Sequence, residues 1–346
     1  MSKQNNKQNN KNSPAEDVTR RDFLRKAGTY SAASLTGAAM LLAPKPARAT
    51  KNVTWAEHFQ KNYRLMTDEE KKEAIDRLVK RYSEEFGKKV SVDDAPAMDG
   101  VLFGYALNIQ KCIGCRRCVK ACVAENNQSR GDKQQIEWIR VMRLEKGKFS
   151  EGDRDDGGYP QDFGIQVGGN AYKPAGVVLE GQHYYEADKV PEKDAFYLPM
   201  QCMQCEKPPC VKVCPVRTTY RDPDGIVVID YNWCIGCRMC IGACPYWARR
   251  FNWGEPDLPA ADMNPDTHYL GNRPRMKGVV EKCTFCIQRT RKGRWTGCVE
   301  VCPVGARKLG NLLDPESDVR KILATKKVFR LRADLNTYPK FFYFMD

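Results

Sequence analysis

The sequence predicts an α+β fold built from two cysteine-rich modules, the second inserted into the first, with a helical extension on the N-terminal side. Three observations predict it. The 16 cysteines among 346 residues fall into four groups of four, with none left over. A strand-turn-strand pattern joins the two central groups. Residues 50–99, ahead of the first group, contain a helical pattern and no cysteine.

The two central cysteine groups have the spacing of iron-sulfur cluster ligands. They read Cys202-x2-Cys205-x4-Cys210-x3-Cys214-Pro215 and Cys234-x2-Cys237-x2-Cys240-x3-Cys244-Pro245. In bacterial ferredoxins, three closely spaced thiolates hold one cubane cluster, and the fourth, just before a proline, ligates the other cluster. The rule predicts one cluster on Cys202, Cys205, Cys210 and Cys244, and another on Cys214, Cys234, Cys237 and Cys240.

The two outer groups are predicted to pair by the same rule. They read Cys112-x2-Cys115-x2-Cys118-x3-Cys122 and Cys283-x2-Cys286-x11-Cys298-x3-Cys302-Pro303. One cluster would then lie on Cys112, Cys115, Cys118 and Cys302, and another on Cys122, Cys283, Cys286 and Cys298. The alternative pairs the first group with the second and the third with the fourth, but it would interrupt the compact central unit. The complete ligand count predicts four [4Fe-4S] clusters.

Other uses of cysteine fit less well. Structural zinc needs four ligands per ion and usually separates its two Cys pairs by a dozen or more residues. A disulfide framework is not required, because a chain of this length can bury a core without cross-links. A c-type haem site needs histidine after the Cys-x2-Cys pair, and Glu206, Arg238 and Ile287 occupy such positions.

Residues 1–49 have the features of an export signal. Arg20-Arg21 precede Phe23-Leu24, a weakly apolar run covers residues 27–43, and a small-residue cleavage site ends at Ala49. The paired arginines predict a twin-arginine signal, which exports proteins already folded around their cofactors. The expected location is therefore periplasmic, peripheral to the inner membrane. An uncleaved tether is the alternative.

The charge balance argues against a nucleic-acid partner. The net charge is +14, and residues 1–49 hold nine basic and three acidic residues, which leaves +8 on the remainder. Four cubane clusters with their thiolates would each carry about −2 when oxidised and would offset most of that charge. After the leader, no apolar segment has the length of a membrane span. We therefore expect membrane contact only through partners.

The elements of the first module and its flanks follow in order. The helical extension covers residues 50–99, where Thr67 and Glu70 form a capping box and Gly87 ends the helix. The apolar stripe of this helix predicts that it packs on the core. The alternative is an arm that docks a partner. The first module covers residues 100–148 and 270–310, with a buried strand at 100–109, a short helix at 119–127 and a strand at 136–144. Residues 149–196 form an irregular insertion that we expect to face a partner.

The second module covers residues 197–253. Asp222-Pro223-Asp224-Gly225 predicts the turn of a hairpin within residues 220–230. Residues 311–346 are predicted as a C-terminal extension, in which Asp314-Pro315-Glu316 caps a helix with Pro in its first turn. Strands are expected at 328–331 and 340–344.

Several stretches make the chain similar to a known family. They are Cys112-Ile-Gly-Cys-Arg-Arg-Cys118, Ala124-Glu-Asn-Asn127, Met200-Gln-Cys-Met-Gln-Cys-Glu-Lys-Pro-Pro-Cys210, Cys244-Pro-Tyr-Trp-Ala-Arg-Arg-Phe251 and Lys282-Cys-Thr-Phe-Cys286. Over residues 101–345 the chain resembles the four-cluster iron-sulfur subunits of dimethyl sulfoxide reductase, polysulfide reductase, formate dehydrogenase and respiratory nitrate reductase, in an exported version. The resemblance implies two ferredoxin-like dicluster modules, with the first cysteine group paired with the fourth and the second with the third.

The resemblance also implies partners. These are an integral membrane quinone-interacting subunit and a molybdopterin catalytic subunit or multihaem cytochrome. The expected activity is electron transfer without catalysis, since His58, His183 and His268 form no nucleophile-and-base arrangement with a cysteine. Two alternatives remain, a free-standing exported ferredoxin shuttle and a zinc-stabilised basic binding protein.

Some side chains next to the cysteines are candidates for tuning the clusters. Amides near Gly114 and Gly236 would donate to cluster sulfurs, and Tyr246 and Trp247 would pack over a cluster. Five arginines could raise cluster potentials or form ordinary ion pairs: Arg116, Arg117, Arg238, Arg249 and Arg250.

Overall fold

The structure, a computed structural model, describes residues 66–130, 134–145, 191 and 193–346. The predicted signal at 1–49, residues 50–65 and nearly all of the 149–196 insertion lie outside the described residues. Among the described residues, no helix combines the length and the apolarity that crossing a bilayer requires.

The described residues contain both short helices and short strands, as expected for the α+β class. The helices are α1 (Asp68–Phe86), α2 (Arg117–Glu125), α3 (Pro209–Lys212), α4 (Met239–Gly242), α5 (Ile287–Thr290), α6 (Gly297–Glu300) and α7 (Asp318–Thr325). The strands are β1 (Ser91–Asp93), β2 (Phe103–Asn108), β3 (Arg140–Glu145), β4 (Ala195–Met200), β5 (Thr219–Arg221), β6 (Val227–Ile229), β7 (Arg249–Phe251), β8 (Asp266–His268), β9 (Val280–Lys282), β10 (Arg307–Asn311), β11 (Lys327–Phe329) and β12 (Phe341–Met345).

Helix α1 forms as its sequence predicts. Thr67 accepts from the backbone of Glu70 and Glu70 accepts from that of Thr67, so both halves of the capping box are present. Gly87 ends the helix in the left-handed conformation, at φ 62°. The apolar stripe of α1 buries Tyr82 and Phe86 in a cluster that includes Leu258 and Met263. This face of the extension is therefore occupied within the chain.

The extension is not entirely helical, which corrects its description from sequence. Strand β1 pairs in parallel with β8, and Ser91 stands opposite Asp266. Three residues are too few to show a strand periodicity, so this pairing has no signature in the local sequence.

A four-stranded sheet lies at the centre of the first module, in the order β10-β2-β12-β11. All six residues of β2 are buried, in agreement with the buried strand predicted at 100–109. Strand β12 runs parallel to β2 and β10 antiparallel to it. The C-terminal residues 311–346 thus supply two strands of this sheet and are not a separate layer.

Both ends of the second module pair with strands of the first. Strand β3 pairs with β4 at the start of the second module, and β7 at its end pairs with β9. An inserted module needs such a connection at each end. These pairings support the insertion arrangement, which remains a prediction.

Within the second module, β5 and β6 form the predicted hairpin, and Gly225 N–H donates to Asp222 O across the turn. Two other boundaries differ from prediction. Strand β3 begins at Arg140 and not at 136, because the preceding segment is held by a loop: Trp138 N–H donates to the Gln128 side chain.

The start of helix α7 is a second correction. Ser317 is its N-cap and accepts from Arg320 N–H, so Asp314 does not cap it and Pro315 lies before its first turn. The Asp314 side chain instead accepts from Glu316 N–H at 2.9 Å. This local turn uses the carboxylate and moves the helix start three residues onward.

Candidate metal centres

Four central thiols border a cavity that is partly open to solvent, which we call the first central site. They are Cys202, Cys205, Cys210 and Cys244, and the other walls include Met203, Val227 and Ala248. Pro208 is the N-cap of α3 and Pro209 its first residue, which turns the chain so that Cys210 is buried. The thiols therefore meet beside largely apolar walls.

A second cavity, also partly open to solvent, is bordered by the remaining central thiols, and we call it the second central site. They are Cys214, Cys234, Cys237 and Cys240, with Val216, Ile229 and Val280 among the other walls. Each cavity thus combines three thiols of one cysteine group with the last thiol of the other. That grouping is the one the sequence predicts; the ligand assignment itself remains a prediction.

In the first module, a side-chain donor links the outer cysteine groups. Asn126 Nδ2 lies 3.5 Å from Cys122 Sγ and 3.5 Å from Cys286 Sγ. Cys122 belongs to the first group and Cys286 to the fourth. Helix α2, which contains Cys122, also packs on α6, which contains Cys298 of the fourth group. The fold therefore brings together the two groups that the sequence pairs.

Burial changes the acid-base behaviour of these thiols. Burial, followed by neighbouring thiols such as Cys283, raises the pKa of Cys122 well above its ordinary value. Burial in the same way raises the pKa of Cys118 and of Cys205 to about 12. Thiolates that are both buried and close together need a cationic partner, and iron supplies one because it binds the deprotonated form.

The donor set fits iron-sulfur clusters. Among the described residues, no group of three or more His, Cys, Asp or Glu side chains is placed to bind a single metal ion. In each central site the four thiols border a cavity, and a cluster of several irons and sulfides would occupy such a space. Bound there, a cubane cluster would supply one-electron redox chemistry.

Glycines allow the cysteine loops to turn tightly. Gly114 and Gly236 have φ of 74° and 69°, which side chains other than glycine rarely adopt. A Cβ atom on Gly114 would lie 2.4 Å from the Tyr197 ring, and one on Gly236 would lie 2.1 Å from Gly278 O. Both positions therefore require glycine for space as well as for conformation.

Of the aromatic residues and arginines predicted to act beside the cysteines, some line the first central site and others are exposed. Tyr246 lines the first central site, whereas Trp247 is half exposed and does not line it. Arg249 is buried and also lines the first central site, while Arg117 and Arg238 are exposed.

The other two arginines contact the same acidic residue. Arg116 is buried and forms two hydrogen bonds with Glu137, at 2.8 and 3.0 Å. Arg250 Nε donates to Glu137 O at 3.1 Å.

His268 has a structural role. Its Nδ1 accepts from Leu270 N–H at 3.1 Å, and its Nε2 lies 3.0 Å from Ala95 O. Burial lowers its pKa, so it is neutral and takes part in backbone hydrogen bonds. His58 and His183 lie outside the described residues.

Several contacts to the thiols were missed from the sequence. Arg307 Nη2 donates to Cys118 Sγ at 3.2 Å, Gln128 Nε2 donates to Cys122 Sγ at 3.1 Å, and Tyr105 Oη lies 3.3 Å from Cys298 Sγ. Tyr105 and Arg307 stand outside the cysteine motifs, so spacing gave no signal for them. Asn126 did have a sequence signal, since it lies in the Ala124–Asn127 stretch that carries the family resemblance.

The chain matches models of known domains. Two models, each described as a 4Fe-4S dicluster domain, match it: one over residues 111–218, the other over residues 193–276 and 272–312. Together the matches span all four cysteine groups.

Three curated relatives illustrate the likeness. A putative dimethyl sulfoxide reductase iron-sulfur subunit of Halobacterium salinarum is 39% identical, over 70% of this chain and 78% of its own length. A selenate reductase subunit of Mesobacillus selenatarsenatis is 36% identical, over 68% of this chain and 70% of its own length. The menaquinone reductase iron-sulfur cluster-binding subunit of Nitratidesulfovibrio vulgaris is 34% identical, over 70% and 88%.

Proposed function

Because the chain belongs to the family of iron-sulfur subunits with 4Fe-4S dicluster domains, we propose that it passes single electrons between two partner subunits of a respiratory complex. One partner is an integral membrane subunit that interacts with quinone. The other is a molybdopterin catalytic subunit or a multihaem cytochrome. The chain itself makes and breaks no bond.

The cofactors follow from the matched domains. The prediction of four [4Fe-4S] clusters is confirmed, since two dicluster domain models match a chain with four groups of four cysteines. When bound, each cluster accepts and releases one electron. The chain's residues hold the clusters, bury most of the cysteine ligands and donate hydrogen bonds to their thiolates.

The observation that carries the proposal is the composition of the two central cavities. Each is bordered by three thiols of one cysteine group and one of the other. Crossed ligation of this kind fixes two clusters close together in one module. We propose the predicted ligand sets for all four clusters on this basis.

The proposed partners rest on the relatives. The name of the Nitratidesulfovibrio vulgaris protein states that it is the cluster-binding subunit of a menaquinone reductase, and that of the Halobacterium salinarum protein refers to dimethyl sulfoxide reductase. A quinone-handling subunit on one side and a terminal reductase on the other would suit a chain of one-electron carriers. The paired arginines at 20–21 support a periplasmic location.

Purification from native membranes under anaerobic conditions tests the function. We expect iron and acid-labile sulfide in equal amounts, absorbance near 400 nm that bleaches with dithionite, and co-elution with an integral membrane protein and a larger cofactor-containing subunit. Elution of an iron-loaded chain alone would favour the free-standing shuttle. Zinc in place of iron would refute the proposal.

A further inference from the structure

Arg307 is a buried cation at the centre of the first module, and only 3% of its surface is exposed. Its Nη2 donates to Cys118 Sγ at 3.2 Å, while Nη1 donates to Tyr105 Oη and to Gln201 Oε1, each at 3.1 Å. One guanidinium therefore contacts a thiol of the first cysteine group and the residue that precedes Cys202.

Tyr105 extends this contact to a second site. Its hydroxyl accepts from Arg307, so its own proton is left to face Cys298 Sγ at 3.3 Å. The ring is fully buried and stacks on Phe341, with ring centroids 4.7 Å apart. The chain from Cys118 through Arg307 and Tyr105 to Cys298 thus joins the two proposed ligand sets of the first module.

Two adjacent strands hold this arrangement in place. Strand β10 begins at Arg307, which stands opposite Leu107 of β2, and Tyr105 lies two residues earlier on β2. The strand pairing therefore fixes the backbone positions from which both side chains reach the thiols.

The charge of Arg307 has no acidic partner in the part of the chain that the structure describes. Two other arginines with buried side chains have one: Arg275 pairs with Glu281 at 3.1 Å, and Arg291 Nε pairs with Asp224 at 3.0 Å. A buried charge without a counter-ion is strongly unfavourable. The Cys118 thiol, which Arg307 contacts, becomes anionic when it binds iron.

We propose that the anionic cluster on Cys112, Cys115, Cys118 and Cys302 is the counter-ion of Arg307, and that Arg307 raises the reduction potential of this cluster. The proposal rests on the proposed function and its ligand sets. Reduction adds one electron, so a fixed positive charge stabilises the reduced form more than the oxidised form. Through Tyr105, a smaller effect in the same direction reaches the cluster on Cys122, Cys283, Cys286 and Cys298.

The test is an anaerobic redox titration of the iron-loaded chain, with dithionite as reductant and EPR as the readout. Arg307→Gln removes the charge. We expect the reduced-to-oxidised ratio of one cluster to fall at least tenfold at a fixed potential. For one electron, a tenfold change corresponds to a shift of about 59 mV in the reduction potential. Arg307→Lys keeps the charge and should restore most of the ratio. Tyr105→Phe should shift a different cluster by a smaller factor.

Arg291→Gln is the matched control. It also removes a buried arginine, and it leaves Asp222 and Asp224 without their partner. We expect it to lower the thermal stability without shifting any cluster potential. A purely structural role for Arg307 would make the two variants behave alike.

Unchanged potentials in an iron-loaded Arg307→Gln variant would overturn the inference, as would an equal shift in Arg291→Gln. If Arg307→Gln does not load iron, Tyr105→Phe decides, because Arg307→Lys keeps the charge. Cluster potentials in Tyr105→Phe equal to those of the unmodified protein would then refute the inference. Failure of the proposed function is distinguishable, because the unmodified chain would then contain no iron-sulfur cluster to titrate.

Discussion

Two cysteine loops of this protein share the pattern Cys-Ile-Gly-Cys-Arg-x-Cys, and they differ in almost everything around them. The first covers residues 112–118 and the second residues 234–240. Their backbones are alike: the glycines have φ of 74° and 69°, and the arginines that follow have φ of 57° and 62°. The same local sequence thus gives the same turn in both modules.

The surroundings of the two loops differ in charge pairing and exposure. Arg116 of the first loop is buried and bound to Glu137, whereas Arg238 of the second is exposed and lies over the Trp253 ring, 4.8 Å from its centroid. Cys115 is partly buried, but Cys237 is exposed. Solvent exposure and nearby charge both tune cluster potentials. The comparison teaches that one motif can supply two electronically different sites.

The largest expected loss of stability is that of alanine substitutions at the glycines of the two loops. Gly236→Ala should lower stability by about 3 kcal/mol, because the positive φ strains alanine and its Cβ overlaps a backbone oxygen. We expect about 2 kcal/mol for Gly114→Ala, whose Cβ meets the Tyr197 side chain. Anaerobic thermal unfolding followed at 400 nm would measure both.

Gly305 provides the control for these glycine variants. Its φ is 58°, but a Cβ there would meet nothing within 4 Å. Gly305→Ala should therefore cost only the conformational term, about 1 kcal/mol. If all three variants lost the same stability, close packing around the cysteine loops would not matter.

The next largest loss of stability is expected for Arg116 of the first loop. Arg116→Met should cost about 2 kcal/mol, because it leaves the half-buried Glu137 carboxylate without its two hydrogen bonds from the guanidinium. A double-mutant cycle with Glu137→Gln, measured by thermal unfolding, checks this. Additive losses in the double variant would show that the pair contributes no coupling.

Solvent access should distinguish the loops without any mutation. Because Cys237 is exposed, we expect an iron chelator to remove the cluster of the second central site first, bleaching about a quarter of the absorbance in an early phase. Alkylation after that phase, read by mass spectrometry, should label Cys214, Cys234, Cys237 and Cys240. Early labelling of Cys112 or Cys115 would contradict this prediction, because it would show that solvent reaches the first loop before the second.

The smallest effect concerns the exposed arginine. Arg238→Met should cost about 0.5 kcal/mol, the value of an exposed cation–π contact with Trp253. Trp253→Leu removes this contact and also the edge-on contact of Trp253 with Phe251, so it should cost more in thermal unfolding. A loss for Arg238→Met as large as that of Arg116→Met would mean that exposure does not weaken this interaction.

Much of the fold could be predicted because local chemistry dictates it. The capping box at Thr67, the left-handed Gly87 and the turn at Asp222–Gly225 each depend on residues within a few positions of one another. The prediction from local sequence was wrong at Asp314. Its side chain could cap a helix or accept from Glu316 N–H in a turn, and the structure has the turn. Strand β1 was missed because its partner β8 lies more than 170 residues away.

The sites divide in the same way. Cysteine spacing predicted which thiols border each central cavity, because a ferredoxin-type ligand loop must fit its cluster and spacing is a property of the chain. The signal peptide at 1–49 and the insertion at 149–196 stay predictions outside the described residues. The roles of Arg307, Tyr105 and Gln128 had no sequence signal, because each acts on a cysteine from another segment or from outside the ligand spacing.

The sequence by itself determined the cofactor, the four cysteine groups and the shape of each ligand loop, since these follow from side-chain chemistry and short-range geometry. Only the tertiary structure decided that Arg307 is buried without an acid, that Cys237 is exposed and which donors reach the sulfurs. The physical reason is that burial and long-range pairing depend on segments that meet only after folding. Two loops with the same motif therefore acquire different electrostatic surroundings.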